Sequence, residues 1–228
     1  MALILSIETS TTDCSVAISD KGKTVVFEKL FLEKSHANLL TVAIESIASH
    51  ANIKLEDLDA VAVSKGPGSY TGLRIGVSTA KGLCYALDKP LIAINTLKAM
   101  AAEVNQFNIN KLALCPMIDA RRMEVYTTLF DADMNELQAT SAKILEETSF
   151  DETLVSTNVL FFGNGSNKFQ ELIQGKAGAH FIDGISPSAD AIGKLAFDSF
   201  TMGELEDVAY FEPFYLKDFM ATTPKKLL

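Results

Sequence analysis

The chain has 228 residues, 48% apolar and 21% charged, with a formal net charge of -9 and a pI near 4.9. That composition suits a globular protein of one large domain or two small ones, and it offers no run approaching the roughly 18–20 apolar residues of a membrane span. An acidic chain repels a phosphate backbone, so direct nucleic-acid binding by this chain alone is not expected.

In chain order, M-A-L-I-L-S-I-E-T-S lacks the basic start and apolar length of a signal peptide and reads as a first strand, residues 3–7. Residues 15–18 and 25–27 follow as strands, the second entered through the Lys21–Gly22–Lys23 turn, giving an antiparallel meander. Ser35 is placed to cap a helix running to about His50. Residues 58–64 form a fourth strand, the loop S-K-G-P-G-S-Y-T-G-L-R-I-G (64–76) follows, and a helix runs from Thr71 to Leu87. Residues 90–94 are a fifth strand and 96–103 a helix, so the meander joins parallel βαβ units. Beyond the polar stretch 105–110 a second series begins, with strands at 112–118, 123–130, around Ile144, at 159–162 and at 180–182. A short helical stretch lies between the last two, and a helix over 188–200 closes near Gly203. The expectation is an α/β protein of two similar halves, 1–105 and 106–228. The second is smaller, with a terminal helix that can pack back on the first.

The glycine loop is not a Walker A motif, because Leu73 and Arg74 follow Gly72 where Lys and Ser or Thr are required. Nor is it G-x-G-x-x-G, since the third glycine position falls on Thr71. It reads as a tight strand-to-helix turn in preference to a phosphate cradle. The turn Glu8-Thr9-Ser10-Thr11 sets an acidic residue and small hydroxyls after the first strand. It is either a nucleotide contact or a polar hairpin turn, and its lack of glycine argues against hydrolysis. Cys14, Cys84 and Cys115 have no ligand spacing, and His36, His50 and His180 enter no nucleophile signature. No metal, cofactor or disulfide is expected, and a reducing, cytoplasmic setting fits. Arg121 and Arg122 either pair locally with Asp119 or Glu124 or form a recognition site.

Winding residues 36–50 at about 100° per residue spreads Leu39, Leu40, Ala43, Ile44 and Ile47 over half the circumference, wider than one core needs. In the next helix Gly72, Gly76, Val77 and Ala80 share a small-residue face, while Arg74, Ser78, Lys81 and Tyr85 line another. With His36 at the helix start, these residues form the expected protein interface: His36, Leu39, Leu40, Ala43, Ile44, Ile47, Gly72, Arg74, Gly76, Val77, Ala80 and Lys81. A charge at Leu40 or Ile44 is then expected to break association while leaving the chain folded.

The segments S-I-E-T-S-T-T-D-C-S-V-A-I (6–18), S-H-A-N-L-L (35–40), the glycine loop, I-D-A-R-R-M-E-V-Y (118–126), F-G-N-G-S (162–166) and E-P-F-Y-L (212–216) occur in this order. Together they resemble the TsaB (YeaZ) family of bacterial tRNA threonylcarbamoyladenosine biosynthesis. The resemblance implies two actin-like (RNase H-like, ASKHA) lobes, the second reduced. It also implies a non-catalytic subunit that binds and activates the transferase TsaD, works with the ATPase TsaE, and forms a homodimer when TsaD is absent. TsaD-like chains carry a metal-binding H-x-x-x-H whose positions fall here on Thr96 and Met100, a hydroxyl and a thioether that cannot replace two imidazoles. The alternative is an enzyme, either a weak actin-like ATPase or a peptidase acting on its partner.

Overall fold

The computed structural model describes residues 2–31 and 36–217, with the backbone alone for 36–38. Ser35, expected as a helix cap, lies outside the described residues, as does the side chain of His36. The first meander is β1 (Leu3–Glu8), β2 (Cys14–Asp20) and β3 (Lys23–Leu30). Then come α1 (His36–His50), β4 (Ala60–Gly66), α2 (Tyr70–Leu87), β5 (Leu91–Asn95) and α3 (Thr96–Asn105). β1 pairs antiparallel with β2 and parallel with β4, so the sheet order is β3-β2-β1-β4-β5.

The second half repeats this plan. β6 (Ala113–Asp119), β7 (Glu124–Phe130) and β8 (Glu136–Ile144) form a meander. They are followed by α4 (Asp151–Ser156), β9 (Val159–Phe162), α5 (Ser166–Ile173), β10 (Ala179–Ile182) and α6 (Ala189–Met202). Its order, β10-β9-β6-β7-β8, is that of the first sheet taken from the other edge. Each half is therefore βββαβαβα, with the first strand at the centre of its sheet. The helix α4 was not expected, for a physical reason: six residues are too few to show a 3.6-residue period. Phe150, at φ +69°, turns the chain into it and packs edge-on against Phe161 and Phe169, each 5.3 Å away between ring centres.

The central strands β1 and β4 are largely apolar because both faces are covered, with polar residues mainly towards their carboxyl ends. Leu3, Leu5 and Ile7 point with Val61 and Val63 towards α1 and α2. Ile4 points the other way with Ala60 and Ala62, towards Ala99 of α3 and Ala191, Ile192 and Ala196 of α6. Small residues there let α6 lie close to the first sheet, and the Ala189 N–H at its start donates to Ser15 Oγ on β2 (3.0 Å). The third helix of each half thus reaches the other half, α3 packing on both sheets. α3 sets Leu97, Met100, Ala101 and Val104 against Leu114, Ile118 and Phe162 of the second sheet. After α6 the chain rounds the edge of β5, where Glu206 N–H donates to Leu91 O, and reaches the α2 side of the first lobe. A division at 105/106 separates the two meanders, but the packing crosses it in both directions.

Candidate functional site

The glycine loop meets the first turn of the chain. Ser69 N–H donates to Ser10 O (2.6 Å), and Thr9 Oγ1 donates to Gly72 O (2.8 Å). A Cβ on Gly68 would stand 2.4 Å from Ser10 O, one on Gly72 2.0 Å from Thr9 O, and one on Gly76 2.3 Å from Thr9 Oγ1. No side chain fits at such distances, so glycine at 68, 72 and 76 is what lets the loop and α2 pack directly on the β1–β2 turn. Ser69 caps α2, its hydroxyl accepting from Gly72 N–H. The small face of α2 is therefore spent inside the chain. Gly66 adopts φ +112°, a region that favours glycine, at the end of β4.

Beneath that contact, Glu8, Thr9, Ser10 and Thr11 are all buried. Glu8 Oε1 accepts from Ser10 N–H (2.5 Å) and from Ser64 Oγ (3.0 Å), while Glu8 Oε2, Ser10 Oγ and Thr11 Oγ1 have no hydrogen-bond partner. Burial raises the Glu8 carboxyl above its ordinary range; the hydrogen bonds from Ser10 and Ser64 and the charge of Lys29 only partly oppose it. A carboxyl whose folded pKa is raised contributes stability in acid, and that contribution is lost as pH rises through the folded value. Glu8→Gln keeps the Oε1 acceptor and never ionises. The variant should match the native chain near pH 4 and then gain on it by about 1.4 kcal/mol per pH unit up to the folded pKa of Glu8. Urea unfolding at a series of pH values measures this; a variant less stable at pH 8 would show an ionised, compensated Glu8.

The expected interface residues divide. Leu40, Ala43, Ile44 and Ile47 of α1 and Val77 and Ala80 of α2 are buried together with β1, β2 and β4, and Gly72 and Gly76 lie against Thr9. These eight are buried within the chain itself, where the wide apolar arc of α1 is filled by the sheet and by α2. Lys81 is engaged too, its ammonium donating to Ala209 O (3.1 Å) and Phe211 O (3.0 Å). Among the residues that α1 and α2 show to solvent are half-buried Leu39, Val42 (57% exposed), Arg74, Ser78 and Tyr85 (87% exposed), beside polar Thr41, Glu45 and Thr71. Val42 was missed because it lies outside the apolar stripe; a large apolar residue there is the signal that marks it.

The second lobe repeats the loop-on-turn arrangement. Asp119 N–H donates to Asn164 Oδ1 (2.9 Å) and Gly165 N–H to Met117 O (3.0 Å). A Cβ on Gly165 would stand 3.0 Å from the Ile118 carbonyl carbon. Arg121 and Arg122 are exposed at the hairpin tip with φ of +70° and +51°. Asp119 pairs with Lys168 and Glu124 with Lys217, so the local ion pairs fall to lysines. Thr96 and Met100 are fully buried, and Met100 Cε would lie 2.8 Å from a Cβ on Gly163. Those two positions are packing at the junction of the lobes. Burial pushes the thiols of Cys14 and Cys84 up to about 11 and that of Cys115 to about 12, which leaves all three inert near neutrality. Among the described residues no cluster of three or more His, Cys, Asp or Glu side chains is placed to hold a metal, and no helix is long and apolar enough to cross a membrane.

Two sheets of one order, exchanged third helices and a glycine loop seated on the first turn of each lobe define a protein of the actin-like ATPase fold. The activator of 2-hydroxyisocaproyl-CoA dehydratase from Clostridium difficile shares that fold at a TM-score of 0.54 and 12% identity, covering 90% of this chain and 98% of that one. A Pseudomonas aeruginosa protein described as similar to the peptidase YeaZ superposes with a TM-score of 0.83 at 25% identity, over 95% of this chain and all of that one. The family model for TsaD, tRNA N6-adenosine threonylcarbamoyltransferase, matches residues 31–224. The Escherichia coli K12 tRNA threonylcarbamoyladenosine biosynthesis protein TsaB is 31% identical over 224 residues, 96% of each chain. The chain belongs to the TsaB family.

Proposed function

We propose that the chain is a non-catalytic subunit of tRNA threonylcarbamoyladenosine biosynthesis that binds and activates a TsaD-type transferase together with TsaE. In the absence of TsaD it pairs with itself through the same surface. The similarity to E. coli TsaB along 96% of both chains carries this reading. Two features of the chain support it. Thr96 and Met100 stand where the resemblance to TsaD would require two histidines, and their hydroxyl and thioether suit packing better than a divalent ion. The outer face of α1 and α2 leaves Val42 and Tyr85 largely exposed, the kind of aromatic and aliphatic anchors that dominate interfaces.

That face, with Leu39, Val42, Arg74, Ser78 and Tyr85, replaces the buried set as the docking surface. Val42→Asp and Tyr85→Ala should each weaken self-association and TsaD binding by about tenfold or more while leaving the fold intact. Light scattering and titration against purified TsaD read both effects; unchanged association in folded variants would place the interface elsewhere. Reconstituted tRNA modification with and without the chain tests activation itself. The enzymatic alternative predicts turnover of ATP or peptide by the isolated chain, abolished by a change at Thr9 or Ser10.

A further inference from the structure

Residues 206–217 follow α6 and lie outside the repeated βββαβαβα plan, although E-P-F-Y-L (212–216) closes the chain's series of motifs. We propose that this segment is a clasp that ties the two lobes together, rooted on the first and hooked to the second through Lys217. The root is apolar and main-chain: Val208 and Phe211 pack on the first core, Glu206 N–H pairs with β5, and the Lys81 ammonium holds the carbonyls of Ala209 and Phe211.

From Glu212 onward the character of the contacts changes. Phe214 N–H donates to Lys65 O (2.7 Å), and Phe214 O lies where a Cβ on Gly66 would stand 2.8 Å away. The Tyr215 ring rests on Tyr70 with centres 4.9 Å apart. Arg74 Nε donates to Tyr215 OH (3.3 Å), and its guanidinium lies 4.2 Å from the centre of the Tyr70 ring. Lys217 then pairs with Glu124, the first residue of β7 in the other lobe. Glu124 is itself built into the 119–124 hairpin, its backbone carbonyl accepting from Ala120 N–H (3.0 Å) and from Lys168 Nζ (2.8 Å).

The course of the segment explains why it joins lobes and is more than a tail lying on one of them. It crosses at the carboxyl end of β4, beside the loop that packs on Ser10, and ends on the hairpin that follows β6. Among the described residues, the contacts beyond Pro213 include a main-chain hydrogen bond, a tilted ring contact, a tyrosine–arginine pair and an ion pair. Such contacts are individually weak and are lost together when any anchor fails. The segment also stands off α2, leaving a cavity of about 380 Å³ lined by Arg74, Ser78, Lys81, Phe211, Glu212 and Tyr215. The clasp is thus firm at its root and releasable at its tip, and its tip shares Arg74 and Ser78 with the docking surface proposed above.

Hydrogen exchange of the full chain, read by mass spectrometry, tests the clasp. Lys217→Glu should speed exchange in 212–217 and in the 119–124 hairpin together, by about two- to fivefold, the factor an exposed ion pair is worth. The charge swap, Lys217→Glu with Glu124→Lys, should restore both segments, and thermal unfolding confirms that each variant remains folded. Faster exchange in 212–217 with the hairpin unchanged would overturn the clasp, as would a charge swap that fails to restore the hairpin. Unchanged exchange in both segments of Lys217→Glu overturns it equally.

Discussion

Gly72→Ala is expected to lower the melting temperature by roughly 4–12 °C, whereas Gly82→Ala on the same helix raises it by about 2–4 °C. Helix propensity alone predicts a gain at both, because Ala is favoured over Gly by about 0.8–1 kcal/mol in a helix interior. Space decides between them. A Cβ at 82 meets nothing within 4 Å, so the propensity gain is realised in full. A Cβ at 72 would stand 2.0 Å from Thr9 O, a backbone atom that cannot swing aside. Relief requires α2 to lift from the β1–β2 turn, which stretches the Thr9 Oγ1 to Gly72 O hydrogen bond and opens the packing at Gly76. Overpacking ordinarily costs about 1–3 kcal/mol and more, about 3–4 kcal/mol, where rigid backbone is the obstacle, so the net loss after the propensity gain is about 2–3 kcal/mol. Thermal unfolding followed by circular dichroism compares the two variants directly. Equal gains at 72 and 82 would mean that the loop does not rest on the first turn.

Much of the fold was legible because each half carries strong periodic signals. The alternation in residues 14–30, the apolar runs of β1, β4, β6 and β9, and the capped helices α2 and α6 are written in local chemistry. The exchange of third helices was not, because α3 and α6 each show an apolar face that fits any sheet equally well. The site was legible as a set of positions, while the side of each helix that faces the chain's own core was not. Glycine spacing along α2 correctly announced a close backbone approach, but spacing cannot say whose backbone approaches; here it is that of Thr9 and Ser10. The arc of α1 likewise announced two buried sides, and both proved to be internal. Glu8 and the hydroxyls after it could be named from sequence, whereas Ser64, which donates to Glu8 from 56 residues away, had no signal pointing to it.

The division of α1 into inner and outer residues yields the other large effect. Leu40→Asp should leave the chain largely unfolded at neutral pH, while Val42→Asp, two residues on, should shift stability by no more than about 0.5 kcal/mol. Leu40 is fully buried among the side chains of the first core, with no cation described among them. Truncating a buried leucine costs about 2–5 kcal/mol, and an unpaired buried carboxylate adds several more. The sum, about 5–10 kcal/mol, is comparable with the 5–15 kcal/mol that ordinarily holds a domain together. Val42 already stands in water, so a carboxylate there gives up only a little apolar burial. Urea unfolding of Leu40→Ala, milder by the charge term, keeps the comparison measurable where Leu40→Asp precipitates, and it should lose about 2–5 kcal/mol. The pair separates two roles that one amphipathic helix performs: loss of partner binding at Leu40 would follow from loss of the fold, and only at Val42 would it report on the surface. A folded Leu40→Asp protein with a native melting curve would place α1 differently on the sheet and return the buried set to candidacy as the interface.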